Sequence, residues 1–251
     1  MLISIIVPFY DNDYDKISNI INELNKLTFN KEVIFVDDRN DKTEDIRKLY
    51  NIPNEYKIVP SFPTGENVGT FEARRSGVLN ATGDYIWFID IDDKLCDIIR
   101  FPTIDEDISA YEFCYDFGDK IVNTYILKFF GYEGIQIRDI HNIKAVMNWT
   151  NLGLWNKLFK RKTVLKTFES IPFLNKFIKN EDGYLYFEIL KNSKLVTFKL
   201  KHIYIYTNPN KHETYMKQLK SQNKLDEYIE NQIPINSPDR EEYINYLKKN
   251  L

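Results

Sequence analysis

Residues 84–93 read DYIWFIDIDD, an apolar run that ends in three carboxylates. The aromatic and β-branched character of residues 85–89 predicts a strand buried on both faces. In an extended segment side chains two residues apart share a face, which places Asp90 and Asp92 side by side. At a separation of ~6 Å and an effective dielectric of ~20, two like charges repel by ~2–3 kcal/mol. A solvated loop tip tolerates that. A pocket tolerates it only when one carboxylate is protonated or a cation lies between them.

The same pattern recurs upstream. LISIIVPF (residues 2–9) is a continuous apolar run, and Ile17, Ile20, Ile21, Leu24 and Leu27 follow at helical spacing. KEVIFVDD (31–38) predicts a second buried strand, Ile46, Leu49 and Tyr50 a short helix, and YKIVPSF (56–62) a third strand. Phe71, Arg74, Arg75, Val78 and Ala81 outline a third helix, entered through Gly65 and Gly69 and left at Gly83. This alternation predicts an α/β fold, a mainly parallel Rossmann-like sheet with helices on both faces. Ligands of such sheets bind beyond the carboxyl ends of the strands. Those ends carry PFYD (8–11), Asp37-Asp38 and residues 90–93. Three acidic strand ends facing one crevice signal a site.

The second half has another texture. DISAYEFCYDFG (107–118) and KIVNTYILKFF (120–130) read as extended, antiparallel strands. RDIHNIKAVMNW (138–149) and EDGYLYFEIL (181–190) read as helices, and KLVTFKLKHIYIYT (194–207) returns to alternation. These form a smaller mixed α/β region, giving one domain over 1–215 in two parts, 1–100 and 101–215. A polar, lysine- and glutamate-rich helical tail follows over 216–251.

The chain has 251 residues, 43% of them hydrophobic, enough for a large core. A net charge of −3 lacks the basic excess of a nucleic-acid binder. The two cysteines, Cys96 and Cys114, fit a reducing compartment better than a disulfide scaffold. The N-terminus reads as a first strand and not a signal peptide, and no apolar run is long enough to span a bilayer. The balanced charge of the tail allows at most a peripheral membrane contact.

Several motif explanations fail. The first β–α turn lacks the Rossmann glycines, and TGENVG (64–69) lacks the lysine of a P-loop. DIDDKL (90–95) lacks the glycine of a calcium-binding EF-hand loop, and the three histidines have no zinc spacing. A haloacid-dehalogenase-like phosphatase also sets Asp-x-Asp after a strand, but it wants Thr or Val where this chain has Lys94. A nucleotide-diphosphate site remains, in which a divalent cation meets carboxylates and phosphates together.

The motifs ISIIVPFYDN, VIFVDDRNDKTEDI, ENVGTFEARRSGVLNATGDYIWFIDIDD, WNKLFKRK and NEDGYLYFEIL, in this order, resemble those of the family 2 glycosyltransferases. They are most similar to members from bacterial capsule and lipooligosaccharide synthesis. The resemblance spans roughly the first 210 residues. It implies a GT-A fold, with residues 1–100 as the nucleotide-sugar half and 101–215 as the acceptor half. It also implies inverting transfer from a nucleotide sugar, UDP-linked, to a hydroxyl of a glycan or glycolipid, with Mn²⁺ or Mg²⁺ as cofactor. Its implied setting is the cytoplasm, including the inner face of the membrane.

The resemblance carries over residue by residue. Pro8 and Tyr10 match the end of strand one, where the nucleobase lies, and Asp38 matches the Asp that accepts from the base N–H. Asn67 matches the Asn-x-Gly before the third helix, and Arg74 a helix arginine that holds phosphate or locks carboxylates. Asp90, Ile91 and Asp92 form the Asp-x-Asp: Asp92 as metal ligand, Asp90 and Ile91 toward the nucleotide sugar. Asp93 has no assigned role. Asp182 matches the general base, with Glu181 supporting it; the competing reading of Asp182 is a helix-capping residue. Trp155 and Lys157 match a Trp-x-Lys segment on the acceptor side, Trp155 either as a sugar platform or as a buried tryptophan. The charges of KLFKRK read as a solvated face.

There are departures. Arg39-Asn40 replaces a Gly-Ser turn, and TNPNKHET (207–214) replaces an Asn-Ser segment, where His212 reads as a ligand of metal or diphosphate or as a surface residue. No Gln-x-x-Arg-Trp follows Asp182, which argues against a processive synthase. A catalytically idle sugar-nucleotide-binding protein is the alternative function.

Overall fold

The computed structural model describes residues 1–10, 13, 16–38, 43–62, 67–97, 99–101, 104–124, 134–174, 181–207, 241 and 244–245. The expectations for Asp11, Arg39, Asn40, Gly65 and His212, and most of the tail, fall outside these residues. The first part runs β1 (Ile3–Phe9), α1 (Ile17–Asn25), β2 (Lys31–Asp37), α2 (Thr43–Leu49), β3 (Lys57–Pro60), α3 (Thr70–Asn80) and β4 (Tyr85–Phe88). Next come β5 (Lys94–Leu95), β6 (Ile108–Asp116), β7 (Ile121–Asn123), β8 (Gly134–Gln136) and α4 (Ile140–Trp149). The last elements are β9 (Lys157–Lys160), α5 (Arg161–Ser170), α6 (Glu181–Lys191) and β10 (Leu195–Thr207).

β1 pairs in parallel with β2 and β4, and β2 with β3. The strand order β3-β2-β1-β4 reverses its direction of growth at β1. Crossovers therefore leave on opposite sides there, and a crevice opens at the carboxyl ends of β1 and β4. Along β1 the pleat sends Ile6 to one face and Ile5 and Val7 to the other, and both faces are covered. That double burial explains an unbroken apolar run in place of alternation.

α3 lies close on the sheet. A Cβ at Gly77 would collide with Cγ2 of Ile6, so glycine sets the approach. Gly69, at the N-cap of α3, has φ 89°, a left-handed value that glycine adopts at little cost. At the amino ends of the strands, Glu32 accepts from Ser4 Oγ, from Gly83 N (2.9 Å) and from Lys57 Nζ (2.9 Å). Burial alone would raise its pKa, but these donors and Thr82 N pull it down to about 2.

Beyond β4 the sheet continues as β9-β6-β10-β5, with β4–β9 and β6–β9 antiparallel and β6–β10 parallel. β7 pairs antiparallel with β6, as the sequence predicts. The reading of KLFKRK as a solvated face holds for Lys162, which is exposed, and is corrected for the start of the segment: residues 157–160 are a strand in the middle of the sheet. Lys157 has no exposed surface, and Lys160 pairs with Asp105 at 2.7 Å. The lysines at either end disguised a strand whose Leu158 and Phe159 are wholly buried. Of the tail, Ile244 packs into the core.

Candidate active site

The acidic stretch is a turn, not the extended segment its sequence suggested. β4 stops at Phe88, and Asp93 N donates to Asp90 O at 3.3 Å. Asp90 and Asp92 consequently differ in setting. Asp90 is 29% exposed and bound to Arg74, whereas Asp92 is 60% exposed. Asp93 turns inward, accepting from Tyr204 Oη at 2.8 Å and Thr207 N at 2.7 Å. Tyr204 Oη also accepts from Asp90 N at 3.1 Å, so one phenol fastens both ends of the turn to β10. Burial and the nearby Asp90 push Asp93 up to about 8, against the hydrogen bonds it accepts.

A cleft of about 310 Å³ opens over this turn. Pro8, Phe9 and Tyr10 from the end of β1 line it, with Asp38, Ile91, Asp92 and the start of α6. Asp38 is held by Ser61 Oγ (2.8 Å), Val68 N (3.2 Å) and Gly69 N (3.0 Å). Burial raises its pKa and these donors oppose the rise. Asn67 caps the same segment, its Oδ1 accepting from Gly69 N at 3.0 Å, and it does not line the cleft.

Arg74 is the hub. Its side chain is 3% exposed and projects from α3 into the floor of the cleft. Nη2 bonds Asp90 Oδ1 at 3.0 Å, and Nη1 lies 3.6 Å from Glu181 Oε1. Nη1 also pairs with Asp182 Oδ1, as a charge contact without hydrogen-bond alignment. Burial works against the guanidinium charge, but Asp182, Asp90 and Glu181 outweigh it and raise its pKa. The carboxylates respond to the shared burial. Asp90 is pushed up to about 6 by burial, opposed by Arg74 and reinforced by Asp182 and Asp92. Glu181 is pushed up to about 8 by burial and by Asp182, again opposed by Arg74.

Asp182 sits in the first turn of α6. One oxygen meets Arg74, and the other accepts from Leu154 N at 3.4 Å. Trp155 and Lys157 stand behind the cleft wall and do not line it. Trp155 is 5% exposed and stacked between Tyr204 and Tyr206, with centroids 4.7 and 5.2 Å away. Two lining residues had no motif to announce them. Asp13 Oδ2 accepts from Tyr10 N at 3.2 Å, and Lys16 Nζ lies 2.8 Å from Asp13 Oδ1 and 3.5 Å from Asp92 Oδ2. The spacing of Tyr10, Asp13 and Lys16 on a helical entry was the available signal.

Among the described residues no cluster of three or more His, Cys, Asp or Glu side chains forms a metal cage. An exposed carboxylate beside an open cleft still suits a hard divalent cation, which takes one or two carboxylates and completes its shell with phosphate and water. Asp92 fits that description.

Comparison with known proteins fixes the family. Residues 4–96 match the model described as Glycosyl transferase family 2. An uncharacterized glycosyltransferase of Haemophilus influenzae is 33% identical over 196 residues, covering 77% of this chain and 73% of its own. The chain belongs to the family 2 glycosyltransferases. Glycosyltransferase GlyA of Streptococcus pneumoniae is 26% identical over 81% of this chain, which spans 30% of that longer protein. Among solved structures, S. aureus TarS 1–349 in complex with UDP superposes with a TM-score of 0.59 at 19% identity, over 82% of this glycosyltransferase and 60% of TarS 1–349. The UDP-GlcNAc complex of the same protein gives 0.57 over 82% and 58%. The glycosyltransferase thus has the GT-A fold, and the phosphatase reading falls away. Among its described residues no helix is long and apolar enough to cross a membrane.

Proposed function

We propose that this glycosyltransferase is a hexosyltransferase that moves a sugar, with inversion, from a UDP-sugar to a hydroxyl of a glycan or glycolipid. The observation that carries the reading is the meeting of Asp90, Glu181 and Asp182 on Arg74, beside the exposed Asp92, in a cleft at the topological switch of the sheet. The UDP and UDP-GlcNAc complexes of TarS support the donor class.

The chain's own residues divide the work. The Tyr10 ring, at the end of β1, would stack on the uracil, and Asp38 would accept from its N–H. Asp90, held by Arg74, would face the ribose, and Asp92 would hold Mn²⁺ or Mg²⁺. That cation, when bound, offsets the charge that develops on the diphosphate leaving group. Lys16, beside Asp92, adds a positive charge at the same edge. Asp182 would take the proton of the acceptor hydroxyl as its oxygen attacks the anomeric carbon. Arg74 fixes the orientation of that carboxylate and prevents a third uncompensated charge in the floor.

The test is calorimetry with UDP in the presence and absence of Mn²⁺, followed by UDP release from a panel of UDP-sugars with water as acceptor. Metal-dependent binding with slow release from one donor is expected. Binding without release from any donor would assign an idle sugar-nucleotide binder, and no UDP binding at all would end the UDP reading.

A further inference from the structure

Lys157 lies in the centre of the sheet with no exposed surface, yet it carries an amine. Its Nζ lies 2.6 Å from Asn151 O, 2.6 Å from Gly153 O and 2.7 Å from Asn156 Oδ1. Three acceptors match the three protons of an ammonium. The Tyr186 ring closes the remaining side, its centroid 4.6 Å from Nζ. A buried charge is poor value as a stabiliser, since well-packed apolar residues commonly serve at least as well. Its position beside a reaction centre calls for a role there.

The loop that Lys157 gathers, residues 151–154, is fixed from several directions. Asn151 Oδ1 accepts from Gly153 N at 2.5 Å. A Cβ at Gly153 would collide with the indole of Trp155, so the backbone passes flush against that ring. Trp155 is itself clamped, its carbonyl accepting from Trp87 Nε1 at 2.6 Å. From the loop so held, Leu154 N donates to Asp182 Oδ2 at 3.4 Å.

We propose that Lys157 is a positioning residue for sugar transfer: it fixes the 151–154 loop so that Leu154 N–H holds one oxygen of Asp182 while Arg74 holds the other. The inference rests on Asp182 being the general base. It replaces the expected acceptor contact of Lys157, which touches nothing in the cleft and acts through another residue. A carboxylate gripped at both oxygens by separate elements keeps one orientation toward an incoming hydroxyl. Burial drives the Lys157 pKa down, and the charge of Asp182 works in the opposite sense.

The experiment is a double-mutant cycle on UDP release from the UDP-sugar panel, using wild type, Lys157→Met, Asp182→Asn and the double variant. Asp182→Asn is read first. Wild-type release from that variant removes the general base, and this inference with it. With Asp182→Asn impaired, Lys157→Met is expected to lower release about 10–100-fold, because small misplacements of a reacting group are costly. The dissociation constant of UDP should stay within about twofold, and in the Asp182→Asn background the same change should cost less than about threefold. An equal factor in both backgrounds, or no loss in either, overturns the proposal. If Lys157→Met does not fold, Asn151→Ala runs the same cycle, since it frees Gly153 N and loosens the loop with the lysine intact. If wild type releases no UDP from any donor, the general-base reading fails and this inference with it.

Discussion

Arg74 Nη2 lies 3.0 Å from Asp90 Oδ1, and this bond ties α3 to the acidic turn beneath the cleft. The other amine of the guanidinium faces α6 through Glu181 and Asp182. Replacing Arg74 with Met leaves three carboxylates around an apolar stem. Breaking a buried pair in this way costs ~3–5 kcal/mol, and the loss should appear as a lower urea midpoint together with loss of turnover. Arg74→Lys is expected to recover only part of either, because an ammonium cannot reach both sides as the planar fork does. Wild-type stability of Arg74→Met would show that the hub does not hold the floor together.

Glu181 is the group through which pH should act on this floor. Its pKa is raised from 4.5 to about 8, so between those values the folded protein keeps a proton that the unfolded chain has lost. The unfolded state then binds fewer protons, and stability falls as pH rises through the window. Asp90, at about 6, and Asp93, at about 8, slope the same way, so the difference between two proteins is the informative quantity. Glu181→Gln should melt higher than wild type near pH ~8, and the gain should vanish near pH ~5. Parallel melting curves across that range would contradict the assignment.

Asp92 is exposed enough to be removed without harm to the core. Asp92→Ala should keep its melting temperature and lose the Mn²⁺-dependent part of UDP affinity along with turnover. Full activity of this variant in EDTA-treated buffer would sink the metal role.

Asp182→Asn preserves shape and removes the basic oxygen. Turnover at saturating donor should fall by ~10²–10⁴, or ~3–5 kcal/mol of barrier, with UDP binding nearly intact. Its carboxylate partners belong to α3 and to the 151–154 loop, so a thermal melt should register the loss of the Arg74 pair as well. Near wild-type turnover would exclude Asp182 as the base.

Tyr204 fastens the acidic turn with one hydroxyl. Tyr204→Phe leaves Asp90 N and one Asp93 oxygen short of a partner, and leaving buried polar groups unsatisfied costs ~1–3 kcal/mol. Metal-dependent UDP affinity should weaken in step, since Asp92 lies inside the same turn. A lower melting temperature with unchanged affinity would separate the turn from donor binding.

The parallel part of the fold was legible because its strands are buried on both faces and its helices are periodic. The cleft was legible because acidic residues stood at the ends of β2 and β4. What escaped depended on distant partners. KLFK reads as polar until Asn151 and Gly153 supply the carbonyls that absorb its first lysine. Asp93 had no reading until Tyr204, far along the chain, supplied its donor. The same-face argument for Asp90 and Asp92 assumed a strand that stops at Phe88. Their proximity comes from a turn, and the two carboxylates have different partners.

The insertion of β9 beside β4 also governs how the chain is made. During synthesis β4 meets β1 early, but its other edge waits for residues 157–160. Until they leave the ribosome, Tyr85, Ile86, Trp87 and Phe88 present an open apolar edge, the kind that recruits foreign strands. Long-range pairing of this sort folds slowly and lengthens the exposed interval. A nascent chain stalled after β4 is therefore a sticky fragment, and the first four strands do not make a self-sufficient cassette.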